Sequence, residues 1–120
     1  MSYSRNREIG RFGEDVAARY LQDQGMVVLD RNWSCRFGEI DLVVRDGATL
    51  VVCEVKTRTT DRYGGPFEAV TDLKALRLRR LAGAWLSEHS VMPEAVRIDV
   101  VSVVVPQRGA PQVDRVSGVA

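Results

Sequence analysis

The chain has 120 residues, 45% of them hydrophobic and 28% charged, with a formal net charge of +1 at pH 7. That length suits one domain over residues 1–120, with looser order expected at 1–4 and 106–120, and near-neutrality neither demands nor excludes a nucleic-acid partner. Apolar runs such as Val103–Val105 are far below the ~20 residues of a membrane helix, the charged start MSYSRNREIGRFGED has no signal-peptide core, and Cys35 and Cys53 make no disulfide framework or metal knuckle; a cytoplasmic protein away from membranes is the expectation.

Ser4 to Gln24 reads as a helix, because Ile9, Phe12, Val16, Tyr20 and Leu21 recur at helical spacing and Gly25 is placed to end it. Its small residues Gly10, Gly13 and Ala17 would let it lie close to a sheet. Met26–Asp30 reads as a strand and Asn32–Phe37 as a loop. A hairpin follows, Gly38–Arg45 and Thr49–Lys56, with the Asp46-Gly47 pair as its turn. Thr57–Pro66 is polar and glycine-rich, a loop at the mouth of any site. Thr71 can cap a second helix over Asp72–Glu88. Ala95–Val105 is a further strand, Pro106–Pro111 a turn, and Gln112–Val116 a short edge strand. The order α-β-β-β-α-β, with a further β at the end, predicts an α/β fold, a mixed sheet flanked by helices.

The hairpin carries charges where a Val- and Leu-rich strand should be apolar. If Asp46-Gly47 is a two-residue loop, Arg45 faces Ala48, Asp41 faces Val52 and Glu54 faces Glu39. Asp41, Glu54 and Lys56 then share one face, with Asp41 and Glu54 as diagonal neighbours roughly 7–8 Å apart at the backbone. Two carboxylates so placed suit one cation. A three-residue loop would separate them.

Each helix offers a neighbour to that pair. Lys74 falls within the apolar stripe of the second helix, Leu78, Leu81, Ala82 and Trp85, so it either snorkels outward or meets an anion at the sheet. Glu14 borders the apolar face of the first helix and is within reach of the hairpin carboxylates. Acids with one or two lysines suit a hard, oxygen-seeking cation such as Mg²⁺, with Mn²⁺ able to substitute. The single histidine, His89, near a helix end and expected to be exposed, leaves little for zinc or a Ser-His-Asp mechanism. Mg²⁺ on two carboxylates serves phosphodiester hydrolysis, with Lys56 orienting the water and stabilising the added negative charge. The blander alternative is a surface ion-pair network. Arg11, Arg58, Arg62 and Arg77 are spread around the site in a way that suits a phosphate backbone, and Tyr63 is available to stack on a base; Trp33 is expected to pack in the core.

Asp41 followed by Glu54-Val55-Lys56 resembles the PD-(D/E)XK nuclease signature, with Ile40 standing where its proline would be. More closely, GEIDLVVRDGATLVVCEVKTR, with GRFGEDVAARYL before it and a lysine-bearing helix after it, resembles the YraN-like family, similar to archaeal Holliday-junction resolvases. The match runs from about Ile9 to Val103. It implies a restriction-endonuclease-like core, Mg²⁺ and a branched or structured DNA substrate in repair or recombination, with a homodimer as the resolvase precedent. By the same resemblance Asp41, Glu54 and the Val55 carbonyl are metal ligands, Lys56 is the catalytic lysine and Glu14 completes the site. Lys74 stands where such nucleases often carry a polar residue. The rival expectation is a nucleic-acid-binding adaptor that keeps the fold and cuts little.

Overall fold

The computed structural model describes residues 3–59 and 71–119. Helix α1 (Tyr3–Asp23) leads into strands β1 (Val27–Cys35), β2 (Gly38–Asp46) and β3 (Thr49–Thr59). Helix α2 (Asp72–Ser87), β4 (Ala95–Val105) and β5 (Gln112–Ser117) follow. The five strands form one sheet in the order β1-β2-β3-β4-β5. All neighbours are antiparallel except β3 and β4, which run parallel. That parallel pair requires a crossover, and α2 lies in it. This is a mixed-sheet α/β architecture consistent with a restriction-endonuclease-like core.

A sheet covered on both faces explains the unbroken apolar run Leu50–Cys53, all of it buried. Val51 and Cys53 join Leu42, Val44, Val101 and Val103 beneath Ala17, Ala18 and Leu21 of α1. Leu50 and Val52 join Ile40, Val43 and Ile98 beneath Leu78, Leu81, Ala82 and Trp85 of α2. Each fully buried leucine here contributes about 2 kcal/mol of apolar transfer free energy. The Thr71 hydroxyl caps α2, accepting from the Lys74 N–H at 3.2 Å.

Several expectations change in detail. The stretch Asn32–Cys35 is strand, since β1 runs on to Cys35 and pairs with β2 as far as Gly38. On α1, Phe12 is 45% exposed, and the sheet is met by Ala17, Ala18 and Leu21, with Gly13 in close approach. Gly13 packs so tightly that a Cβ there would overlap the side chain of Thr57. His89 is half-buried, stacked on Trp85 with ring centroids 3.9 Å apart. Trp33 packs on the α2-side cluster, as its apolar bulk predicts.

The hairpin register differs most. Asp46 pairs with Thr49 and Arg45 with Leu50, so the two-residue loop is Gly47-Ala48 and Asp41 does not face Val52. Only Gly47 has positive φ, +61°, the pattern of a turn with glycine at its first central position. The turn has moved one residue along the chain, which shifts each facing pair by two. An even shift keeps the faces of the regular part of the hairpin, but Ile40 and Leu42, two residues apart, pack under opposite helices, so the alternation breaks at Asp41.

Candidate active site

The printed pairing of β2 with β3 ends at Leu42 and Cys53. Asp41 and Glu54 stand just beyond that end, where the ladder has stopped and strict alternation along β2 breaks, since Ile40 and Leu42 pack on opposite faces. The Val55 N–H donates to Asp41 Oδ2 at 2.8 Å. A side chain thus takes the place of a ladder partner and fixes its carboxylate against β3. An extended residue directs its N–H and C=O to the same strand edge, so the Val55 carbonyl also faces this opening.

Electrostatics make the position costly without a cation. Burial pushes the Asp41 carboxyl from 3.8 up to about 6, the Val55 N–H pulls it down, and the charges of Glu14, Glu54 and Glu39 raise it further. The stripe lysine of α2 meets this group from above the sheet, with Lys74 Nζ 2.8 Å from Glu54 Oε2. The contact sets an ammonium against a carboxylate oxygen that is itself buried. The Glu54 carboxylate, and next the Lys56 side chain, hold the Lys74 ammonium above the ordinary lysine value.

Glu14 is brought near by the close approach of Gly13 to Thr57. Its carboxylate is felt at Asp41 and lies 3.8 Å from the Arg31 guanidinium, which also binds Asp15 at 2.7 Å. Among the described residues, no three His, Cys, Asp or Glu side chains converge tightly enough to hold a metal by themselves. Mg²⁺ seldom asks for that; it is usually held by one or two carboxylates, with water and substrate phosphate completing six oxygens. A buried Glu54 oxygen neutralised by the Lys74 ammonium and an acid whose charge burial opposes fit such an ion.

The basic residues are less gathered. Arg77 is exposed on α2 one turn beyond Lys74, Arg58 is half-buried on β3, and Arg11 is exposed on α1. Arg62 and Tyr63 lie outside the described residues.

Two polar clusters lie outside the residues that the sequence singles out for the site. Asp99, fully buried in β4, accepts from Arg97 Nε at 2.9 Å and Nη2 at 3.1 Å, from Arg115 Nη1 at 3.0 Å and from the Gly118 N–H at 3.0 Å. Burial alone would push this carboxyl up, but Arg97, Gly118 and Arg115 hold it below the usual carboxylate value. Arg97 also reaches Asp46 at 3.0 Å. Asp30 of β1 accepts from Trp85 Nε1 at 2.9 Å, tying α2 to the sheet edge. The charge of Asp99 inside an apolar run was the available clue.

One parallel pair in a mixed sheet, a helix on each face and acids where two strands part define the frame of a restriction-endonuclease-like α/β protein. The chain belongs to the family described as Uncharacterised protein family UPF0102, whose profile matches residues 13–103. A UPF0102 protein of Nocardioides sp. is 58% identical over 111 residues, covering 92% of this chain and 90% of its own. One from Kineococcus radiotolerans is 58% identical over 113 residues, 93% of each chain. One from Frankia alni is 56% identical over 110 residues, 92% of each. Among the described residues, no helix is long and apolar enough to cross a membrane.

Proposed function

We propose that this protein is a metal-dependent endonuclease that hydrolyses phosphodiester bonds in DNA, with branched or structured DNA of repair or recombination as its substrate class. The observation that carries the reading is the Asp41 carboxylate held on the Val55 N–H where the β2–β3 ladder ends, next to Glu54 with Lys74 upon it. Asp41, Glu54 and the Val55 carbonyl would hold Mg²⁺ or Mn²⁺, with Glu14 at the border. The ion, when bound, supplies charge neutralisation at the phosphate and a more acidic water. Lys56 shares a face with Glu54, and its side chain orients the attacking water and stabilises negative charge at the phosphorus. Lys74 keeps Glu54 neutralised while no cation is present. For DNA of repair or recombination we place the protein in the cytoplasm.

A second reading is supported by the same ion pair. Lys74 already satisfies part of Glu54, and no three acids converge among the described residues, which suits an adaptor that binds nucleic acid and cuts little. Incubation with four-way junction, flap, single-stranded and duplex DNA, with and without Mg²⁺ or Mn²⁺, separates the two. Metal-dependent cleavage lost in Asp41→Ala and Lys56→Ala supports the nuclease. Cleavage that survives both substitutions removes the proposed site, and binding without cleavage under either metal supports the adaptor.

A further inference from the structure

Helix α2 carries a second apolar feature that its core packing leaves unused. Leu73 is 79% and Leu76 65% exposed, on the side of the helix away from Leu78, Leu81 and Trp85. With Phe37, from the turn between β1 and β2, they floor a groove of about 760 Å³ edged by Lys74, Arg77 and Arg80. Two guanidinium groups lie over the Phe37 ring, Arg36 at 4.8 Å and Arg80 at 4.9 Å from its centroid. Among the described residues, no carboxylate pairs with Arg36, Arg77 or Arg80.

An apolar floor with a cationic rim calls for a ligand with flat apolar faces on one side and repeated negative charge on the other. A second copy of the chain meets that demand badly, because a two-fold contact would set Arg77 and Arg80 close to their own counterparts. Regular duplex also meets it badly: its base faces are stacked inside, so it would engage the arginines and leave Leu73 and Leu76 in water. A single strand offers both surfaces at once. Lys74 lines the groove and touches Glu54, so the groove leads straight to the acids.

We propose that this groove holds an unpaired stretch of a DNA strand, its bases against Leu73 and Leu76 beside the guanidinium-covered Phe37 ring and its phosphates along Arg77 and Arg80. The proposal rests on the reading of the neighbouring acids as a DNA-cleaving site, and it narrows the substrate to DNA with an unpaired segment beside the scissile bond. Base stacking on apolar and aromatic side chains is sequence-tolerant, so no base preference is expected.

The test is binding by fluorescence anisotropy, with the full chain and no divalent metal, to a blunt duplex and to the same duplex bearing a single-stranded tail of about ten nucleotides, within the usual footprint of single-strand grooves. The tailed duplex should bind about tenfold more tightly, the scale of one or two stacked bases. Leu73→Ser with Leu76→Ser should abolish that preference and leave blunt-duplex affinity in place, and the Leu→Met pair should retain it. Equal wild-type affinity for the two DNAs, or a preference untouched in the serine variant, overturns the proposal. So does a serine variant that changes only from dimer to monomer, which would make the face a self-contact. Cleavage plays no part in this readout. Tail preference in a protein that cuts nothing keeps the groove and removes the nuclease; cleavage without tail preference does the reverse.

Discussion

The Val55 N–H donates to Asp41 Oδ2 at 2.8 Å, and this single bond stands where the β2–β3 ladder stops. It ties an acid to the backbone of the strand that carries Glu54 and Lys56, so the site's geometry is inherited from strand pairing. Four predictions follow from that arrangement and its supports.

The first concerns pH. Asp41 has a folded-state value of about 6 against 3.8 for the free side chain, so ionising it opposes folding. The penalty is fully present above about pH 6 and vanishes below about pH 4, and two units correspond to about 3 kcal/mol at most. Asp41→Asn should therefore raise the thermal midpoint of metal-free protein at pH 8 and leave it nearly unchanged at pH 4. In the wild type, Mn²⁺ affinity should fall as pH drops below about 6, when the proton competes for the same oxygens.

Lys74 should have opposite effects on two observables. It competes with a metal for Glu54, so Lys74→Gln should tighten Mn²⁺ binding measured by calorimetry. The same change should lower cleavage, because a positive charge near the phosphate is lost. Global stability should move by less than about 1 kcal/mol, as expected for a part-exposed ion pair.

Gly13→Val tests the approach of α1 to the sheet. Any Cβ at this position overlaps the Thr57 side chain, so helix or strand must shift. Overpacking of this kind costs about 1–3 kcal/mol, readable in urea denaturation. Cleavage should fall with it, since Glu14 follows Gly13 directly. Gly10→Ala, where a Cβ meets nothing within 4 Å, is the control and should be neutral or mildly stabilising.

Asp99→Ala should be the most damaging change away from the site. It leaves Arg97 and Arg115 facing a buried gap and removes the anchor of the Gly118 N–H. Breaking such a network costs about 3–5 kcal/mol. Hydrogen exchange should report the loss of protection across Gln112–Ser117. Because the Asp99 carboxyl is held below its ordinary value, its stabilisation is present above about pH 4 and is lost as pH falls through the lower folded-state value.

Much of this was legible in residue order. Thr71 as a cap and the apolar stripe of α2 both follow from local signals, which packing here does not override. The turn was misplaced by one residue because an Asp-Gly pair suggests positive φ at both central positions. The fold needs it only at Gly47 and makes Ala48 the second. An even slip preserves the faces of the regular part of the hairpin, while the break at Asp41, with Ile40 and Leu42 under opposite helices, is a packing effect that periodicity does not show. Phe12 was misjudged because burial on α1 follows the closeness that Gly13 allows rather than side-chain bulk. Asp99 gave one charge in an apolar run, while its partners sit at Arg97, Arg115 and Gly118; only the β4–β5 pairing brings the distant two together.

The central claim is that Asp41 and Glu54 share one cation, and Mn²⁺ binding followed by electron paramagnetic resonance tests it most directly. The wild type at pH 8 should bind Mn²⁺, Mg²⁺ should displace it, and Asp41→Ala and Glu54→Ala should each abolish the bound signal while remaining folded. Unchanged Mn²⁺ affinity in either folded variant would contradict the account.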